Sequence, residues 1–281
     1  MTDYFVLTND PDHGVTEHYR TVFRELTKRD IFVTTAVFCT LKDDETALAR
    51  HCYGGETHHL SLPGYRDLML ELADLGHEIA FHGYSQVSDT RDEFRKGLDI
   101  FHRTFGRYPA VYIEHGGSPA THSMEMCKRE TLAVEGAEPQ SDYYVKDILQ
   151  QVFEVVWTQE YLLDFVKRPL DVREVLYSDG GILYFKRWRM AHVDPLFGQL
   201  SGSDQAIVGY THFGYRGYEP RRKLKTLFRK RDYPQLECWS RRHLDRTVSL
   251  LAHSLAEHGL KSLTLSDLLK THRGDPHAET P

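Results

Sequence analysis

Tyr65-Arg66-Asp67-Leu68-Met69-Leu70-Glu71-Leu72-Ala73-Asp74-Leu75-Gly76-His77-Glu78-Ile79-Ala80-Phe81-His82 holds one complete helix-to-strand unit. Leu68, Leu72 and Leu75 fall on one face of a helix over Tyr65–Leu75, and Gly76 supplies its stop. Glu78–Phe81 is then a short apolar strand that ends by delivering His82. Working outward, the same alternation recurs. Tyr4–Thr8 is a β-rich apolar run stopped by Asn9-Asp10-Pro11-Asp12-His13-Gly14, the loop at its C-terminal end. Thr16–Arg29 carries a helical stripe at Tyr19, Val22, Phe23 and Leu26, and Ile31–Phe38 is a β-branched and aromatic second strand. Asp92–Phe105 reads as a helix, and Ala110–Ile113 as a strand running into Glu114-His115. Strands alternating with helices argue for a parallel sheet with right-handed crossovers.

Further along the pattern is less regular. Phe153–Thr158 and Ile182–Trp188 read as strands, and Ala120–Val145 and Tyr161–Val175 as helical segments. Ala206–Tyr210 is a strand running into Thr211-His212. Ser240–Glu257 is an amphipathic helix, Lys261–Leu265 a strand, and Ser266 the cap of a last helix over Asp267–Thr271. The expectation is a distorted (β/α) barrel of about seven parallel strands, built as one catalytic domain over residues 1–272. A basic insertion lies at about 216–246 and a polar tail at 273–281.

The 281 residues are 40% hydrophobic and 27% charged, an ordinary globular composition. A net charge of −6 with 17 histidines argues against nucleic-acid binding. Cys39, Cys52, Cys127 and Cys238 form no CxxC pair, so they read as buried or free thiols. No segment has the roughly 20 apolar residues of a membrane span. Met1-Thr2-Asp3 and the short run after it lack the features of a signal peptide, so a cytoplasmic location is expected.

In a parallel barrel every strand opens at its C-terminal end onto the same face, where active sites lie. That face would receive Asp10, Asp12 and His13 after the first strand, His82 after the third, Glu114 and His115 after the fourth, and His212 after the last long one. Singly, each has a bland reading: an Asp after a strand is usually a turn former or cap, and a lone His a hydrogen-bonded core or surface residue. Delivery of acids and imidazoles by four separate strand ends is what points to a site.

With these residues in place the chain resembles the polysaccharide deacetylase (NodB-homology, carbohydrate esterase family 4-like) family, as a divergent member. Phe5–Thr8 with the acids after it looks like the family's opening strand and Asp-Asp motif. Leu75–Gln86 is similar to its second motif, Phe105–Pro109 to the approach to its third, Ile207–His212 to its late strand with the catalytic histidine, and Gly259–Leu269 to its ending. The resemblance implies removal of an N- or O-acetyl group from a sugar with one divalent metal ion, zinc being expected. It implies Asp10 as base, His212 as acid, and Asp12 and His82 as metal ligands.

Three departures stand out. Gln86 occupies the place of the second motif's distal histidine and is the weaker donor. The arginine that orients the base has no counterpart before Ile113-Glu114-His115. Pro11 and His13 are additions to the first motif. Either His13 or His115 could restore a strong third ligand. Glu114, His115, Tyr112 and Arg216 are candidate substrate-binding residues. Trp157, Trp188, Tyr112 and Tyr210 could stack on sugar rings, although aromatics at strand positions are more often core. The basic stretch from Arg216 to Arg246 reads as a solvated insertion or as a dock for an anionic sugar or sugar nucleotide. The expected activity is therefore deacetylation of a sugar or sugar-nucleotide precursor in surface-polysaccharide synthesis. The alternatives are hydrolysis of a small non-sugar amide, with weak or no metal, and a non-catalytic carbohydrate-binding protein.

Overall fold

The computed structural model describes residues 2–11, 16–42, 58–85, 89–115, 139–158, 161–163, 165–213 and 241–273. Four crossovers build the first half: β1 (Tyr4–Asn9), α1 (Thr16–Thr27), β2 (Val33–Phe38), α2 (Pro63–Asp74), β3 (Glu78–Gly83), α3 (Arg91–Phe105), β4 (Val111–Ile113), α4 (Lys146–Val152) and β5 (Val155–Trp157). Then come β6 (Leu170–Asp171), α5 (Val172–Val175), β7 (Leu176–Asp179), β8 (Ile182–Phe185), β9 (Trp188–Arg189), α6 (Asp194–Phe197) and β10 (Gln205–Thr211). The described chain ends with α7 (Arg241–Glu257), β11 (Lys261–Leu263) and α8 (Leu265–Arg273).

The sheet runs β10-β1-β2-β3-β4-β5-β8, every neighbour parallel. Only Lys186 and Arg187 separate β8 from β9, and β9 pairs in parallel with β10. The segment from β8 to β9 therefore bridges β5 and β10 and closes the ring as a distorted (β/α) barrel. β11 extends the contact of β1, pairing with Tyr4–Val6 while β2 pairs with Leu7–Asn9. Every residue of β1, β2 and β3 is buried. Strands covered on both faces read as continuous apolar runs rather than alternations, which is why the sequence shows them as it does. Outside the ring lie the apolar stripes of α1 (Tyr19, Val22, Phe23, Leu26), α2 (Tyr65, Leu68, Met69, Leu72) and α3 (Phe94, Leu98, Phe101).

Three sequence expectations change. Ile182–Trp188 is two short strands with a break at Lys186-Arg187, because the chain leaves β5 there to reach β10. Among the described residues between Tyr161 and Val175 the α-helical part is the single turn α5, and Tyr161–Leu163 run alongside Arg187 instead, with Leu163 N donating to Arg187 O at 2.9 Å. The last helix begins at Leu265, so Thr264 rather than Ser266 sits at its start, its hydroxyl accepting from Asp267 N at 3.3 Å. The Ala120–Val145 segment lies outside the described residues up to 138, and 139–145 is a turn region. Most of the basic insertion and residues 274–281 of the tail are also outside them.

His77 and Glu78 lie at the opposite end of the strands from the expected site and serve the fold. His77 Nδ1 accepts from Val33 N at 3.2 Å, so the neutral ring carries its proton on Nε2, 2.8 Å from Thr27 Oγ1. That hydroxyl in turn donates to Phe23 O at 2.8 Å. Burial lowers the His77 pKa to about 4. Glu78 accepts from Thr34 Oγ1 at 2.7 Å, from Leu265 N at 3.1 Å and Ser266 N at 3.2 Å, and from Ser266 Oγ. It thereby satisfies the otherwise unbonded amides that open α8. Cys39 is free and buried, its thiol donating to Gly97 O at 3.2 Å.

Candidate active site

The register of β1 and β10 builds the centre. Asn9 pairs with Thr211, and Asp10 N donates to Thr211 O at 3.0 Å, so the next residues along, Asp10 and His212, are neighbours across the strand ends. Asn9 locks the pair of strands: its Oδ1 accepts from Phe213 N at 2.8 Å and its Nδ2 donates to Thr35 Oγ1 at 2.8 Å. These side-chain bonds replace the ladder where the strands part.

Asp10 is buried, and its carboxylate is gripped by Arg187. Nη1 meets Oδ1 and Nη2 meets Oδ2, each at 2.7 Å, a bidentate fork with both charges out of water. Arg187 is fully buried, with its guanidinium carbon 3.5 Å from the centre of the Trp157 ring and 4.2 Å from that of Tyr210. Nη1 also reaches Thr8 Oγ1 at 3.2 Å. Burial on its own would raise the Asp10 pKa. The Arg187 charge and hydrogen bonds, helped by the nearby imidazoles of His82 and His212, more than offset it and hold the carboxyl below its ordinary value. Asp10 is therefore ionised at neutral pH.

Arg187 is the residue that sequence reading missed. The family resemblance places its arginine near β4, where Glu114 and His115 stand, and the sequence pattern puts Arg187 inside an Ile182–Trp188 strand. The available signal was the run Lys186-Arg187-Trp188-Arg189 directly after an apolar strand. Trp157 and Tyr210, weighed as sugar-stacking rings, pack on this guanidinium instead. Trp188 is core, its indole donating to Val166 O at 2.9 Å.

His82 sits at a break in register between β2 and β3. Val37 pairs with Phe81 and Phe38 with Gly83, so His82 is the extra residue of a bulge. Bulges re-aim side chains beside functional sites. Its Nδ1 donates to Ile113 O at 2.5 Å, which makes Nε2 the nitrogen with the lone pair. The turn after it is pinned by buried Asp89, which accepts from Tyr84 N (2.8 Å), Ser85 N (3.3 Å) and Ser85 Oγ (2.6 Å). Gly83 lies between them at φ 143°, where a Cβ would stand 2.9 Å from Asp89 Oδ2. Burial raises the Asp89 pKa to about 6 against these bonds and the Lys42 charge.

The ring of His115 lies 5.1 Å from that of His82, and both pack on Phe38 at 5.2 and 4.7 Å. Glu114 is buried, its amide donating to Trp157 O at 2.9 Å. Tyr112 is a correction. Successive residues of a strand face opposite ways, and its ring packs with Phe81, Phe94 and Phe153 at 5.3–6.1 Å, in the layer under α3 rather than towards a substrate. Asp12, His13, Gln86 and Arg216 lie outside the described residues.

A divalent ion, which the family resemblance implies, fits this end of the barrel in part. His82 gives one ring N–H to the backbone carbonyl of Ile113, as ligating histidines ordinarily do with the nitrogen that does not face the metal. Asp10, with both oxygens in the Arg187 fork, is committed elsewhere. Among the described residues no three His, Cys, Asp or Glu side chains form a metal-ligand cluster.

No protein-family profile and no curated protein sequence matches the chain. Solved structures do. Among the proteins it resembles there are carbohydrate esterases of family 4 and a pseudoenzyme of that family. One is the peptidoglycan deacetylase PdaC from Bacillus subtilis, at 13% identity over 97% of this chain and 93% of that one, with a TM-score of 0.44. Another is a family 4 acetyl xylan esterase from Clostridium thermocellum in complex with a cobalt ion, with the same identity, coverage and TM-score. A third is a CE4 family pseudoenzyme from Bacillus anthracis, at 10% identity over 95% of this chain and 66% of that one, with a TM-score of 0.45.

Proposed function

We propose that this chain is a hydrolase that removes an acyl group, an N-acetyl in the first instance, from a sugar or sugar-nucleotide precursor. The observation that carries the reading is the pairing of a buried, ionised Asp10 with His212 at adjoining strand ends. Amide hydrolysis needs a base for the attacking water and an acid for the leaving amine. Asp10 is the base, held in one orientation by the Arg187 fork. His212, half-buried beside Tyr210 with ring centres 5.8 Å apart, is the acid. A bound divalent ion, held by His82, would polarise the acyl oxygen.

The test is release of acetate from N-acetylated monosaccharides, oligosaccharides and sugar nucleotides, with and without added divalent metal. Asp10→Asn and His212→Ala should each lower turnover by roughly 10²–10⁴-fold. A His212→Ala protein with full activity and only a lower melting point would remove the acid role. Release of acetate from non-sugar amides alone would move the substrate class. Oligosaccharide binding without any turnover would make the protein a carbohydrate-binding barrel.

A further inference from the structure

We infer that His82 and His115 are a pair of imidazole ligands to one divalent metal ion, so that His115, from the end of β4, supplies the imidazole missing at position 86. The inference goes beyond the catalytic reading by assigning the ion's nitrogen ligands, and it concerns metal binding whether or not the protein turns over a substrate.

A zinc-type metal–nitrogen bond is about 2.0–2.1 Å, and a ring nitrogen lies about 1.1 Å from the centre of its imidazole, so two ligands at a tetrahedral angle hold their ring centres about 5 Å apart. The observed separation is 5.1 Å. The rings are tilted by 59°, as two rings converging on one point can be and as a face-to-face stack is not. Each ring is also held from outside. Phe38 packs on both, and Ile113 O takes the Nδ1 proton of His82. Ile113 precedes His115 by two residues on the same strand end, so one short piece of backbone orients the first ligand and carries the second. Sub-ångström changes in either strand would move both together, which is how a rigid scaffold preserves a ligand pair. Asp10 is kept out of the set by Arg187. Two imidazoles leave the other coordination positions to oxygen donors, a set that suits zinc, cobalt or nickel.

Cobalt(II) is the probe, because its visible absorption reports coordination directly without any turnover. Wild-type protein prepared free of metal should take up one equivalent, and zinc should displace it. His115→Ala and His82→Ala should each weaken cobalt binding by at least tenfold, whereas Gln86→Ala should change it by less than about threefold. To separate ligand loss from misfolding, histidine-15N NMR of the wild-type chain should show two imidazole nitrogens shifting together on addition of zinc. Those two signals should be the ones lost in the two variants. Wild-type affinity retained by His115→Ala would overturn the assignment. So would a wild-type protein that takes up no cobalt, or a Gln86→Ala variant as impaired as His82→Ala. Each of these outcomes leaves the test of acetate release independent, since that test reads turnover.

Discussion

Replacing Arg187 by methionine isolates the effect on which the site depends. Methionine keeps much of the packing against Trp157 and Tyr210 but removes the charge and both 2.7 Å contacts with Asp10. With Arg187 fully buried and Asp10 6% exposed, the pair has little water to fall back on. Opposite charges about 4 Å apart attract by roughly 4 kcal/mol at an effective dielectric of 20. Removing one member of a buried pair typically costs about 3–5 kcal/mol, chiefly because the other is left uncompensated. Arg187→Met should therefore lose about 3–5 kcal/mol at pH 7. The pH dependence provides the sharper test. In the wild type the Asp10 pKa is below its unfolded value, so its contribution is present above the unfolded pKa and is lost as pH falls through the folded one. Without Arg187 burial, the largest influence on Asp10, raises the folded pKa above the unfolded one, so the variant gains stability as pH falls through that raised value. The deficit of Arg187→Met should thus shrink as the pH is lowered from 7 towards 4. Asp10→Asn should be less harmful in the Arg187→Met background than alone, with a coupling of about 3 kcal/mol or more. Urea denaturation of the four proteins at pH 7, 6 and 5, followed by circular dichroism, measures all of this. A single variant within about 0.5 kcal/mol of wild type at pH 7, or additive effects in the double variant, would refute the reasoning.

Two further outcomes can be checked alongside it. His77, whose pKa burial lowers from 6.5 to about 4, costs stability as pH falls from about 6.5 towards 4, whereas Asp89, raised from 3.8 to about 6, adds stability over nearly the same window. Each shift corresponds to roughly 3 kcal/mol, so the two should largely cancel. Asp89→Asn should then become markedly less stable between pH 6.5 and 4.5, and His77→Gln more stable, as read from denaturation midpoints. Gly83→Ala, at φ 143° with its Cβ placed 2.9 Å from Asp89 Oδ2, should lower stability by about 1–3 kcal/mol and weaken cobalt binding through His82; a thermal melt and the cobalt titration check it.

Much of the framework was legible from local pattern. Continuous apolar runs at Tyr4–Thr8 and Glu78–Phe81, a helical stripe from Tyr19 to Leu26 and a stop at Gly76 are properties of neighbouring residues, and the structure reproduces them within a few positions. Alternation then implied a parallel barrel, and the barrel put Asp10, His82, His115 and His212 at one end. Tyr112 was misplaced because a residue count along a three-residue strand does not say which face is inward. His82 gained its aim from a register break that no sequence pattern records.

The sequence alone therefore determined the order of elements and the strand ends at which acids and imidazoles gather, because hydrophobic period and chain direction are local. Only the tertiary structure decided what those groups face. Arg187 reaches Asp10 across 177 residues, since the ring closes through β8 and β9 rather than by a regular crossover. The 5.1 Å approach of His82 and His115 likewise follows from strand pairing and a bulge. Contacts of that kind depend on how strands meet in space, and burial away from water gives an arginine beside an aspartate its influence on that carboxyl.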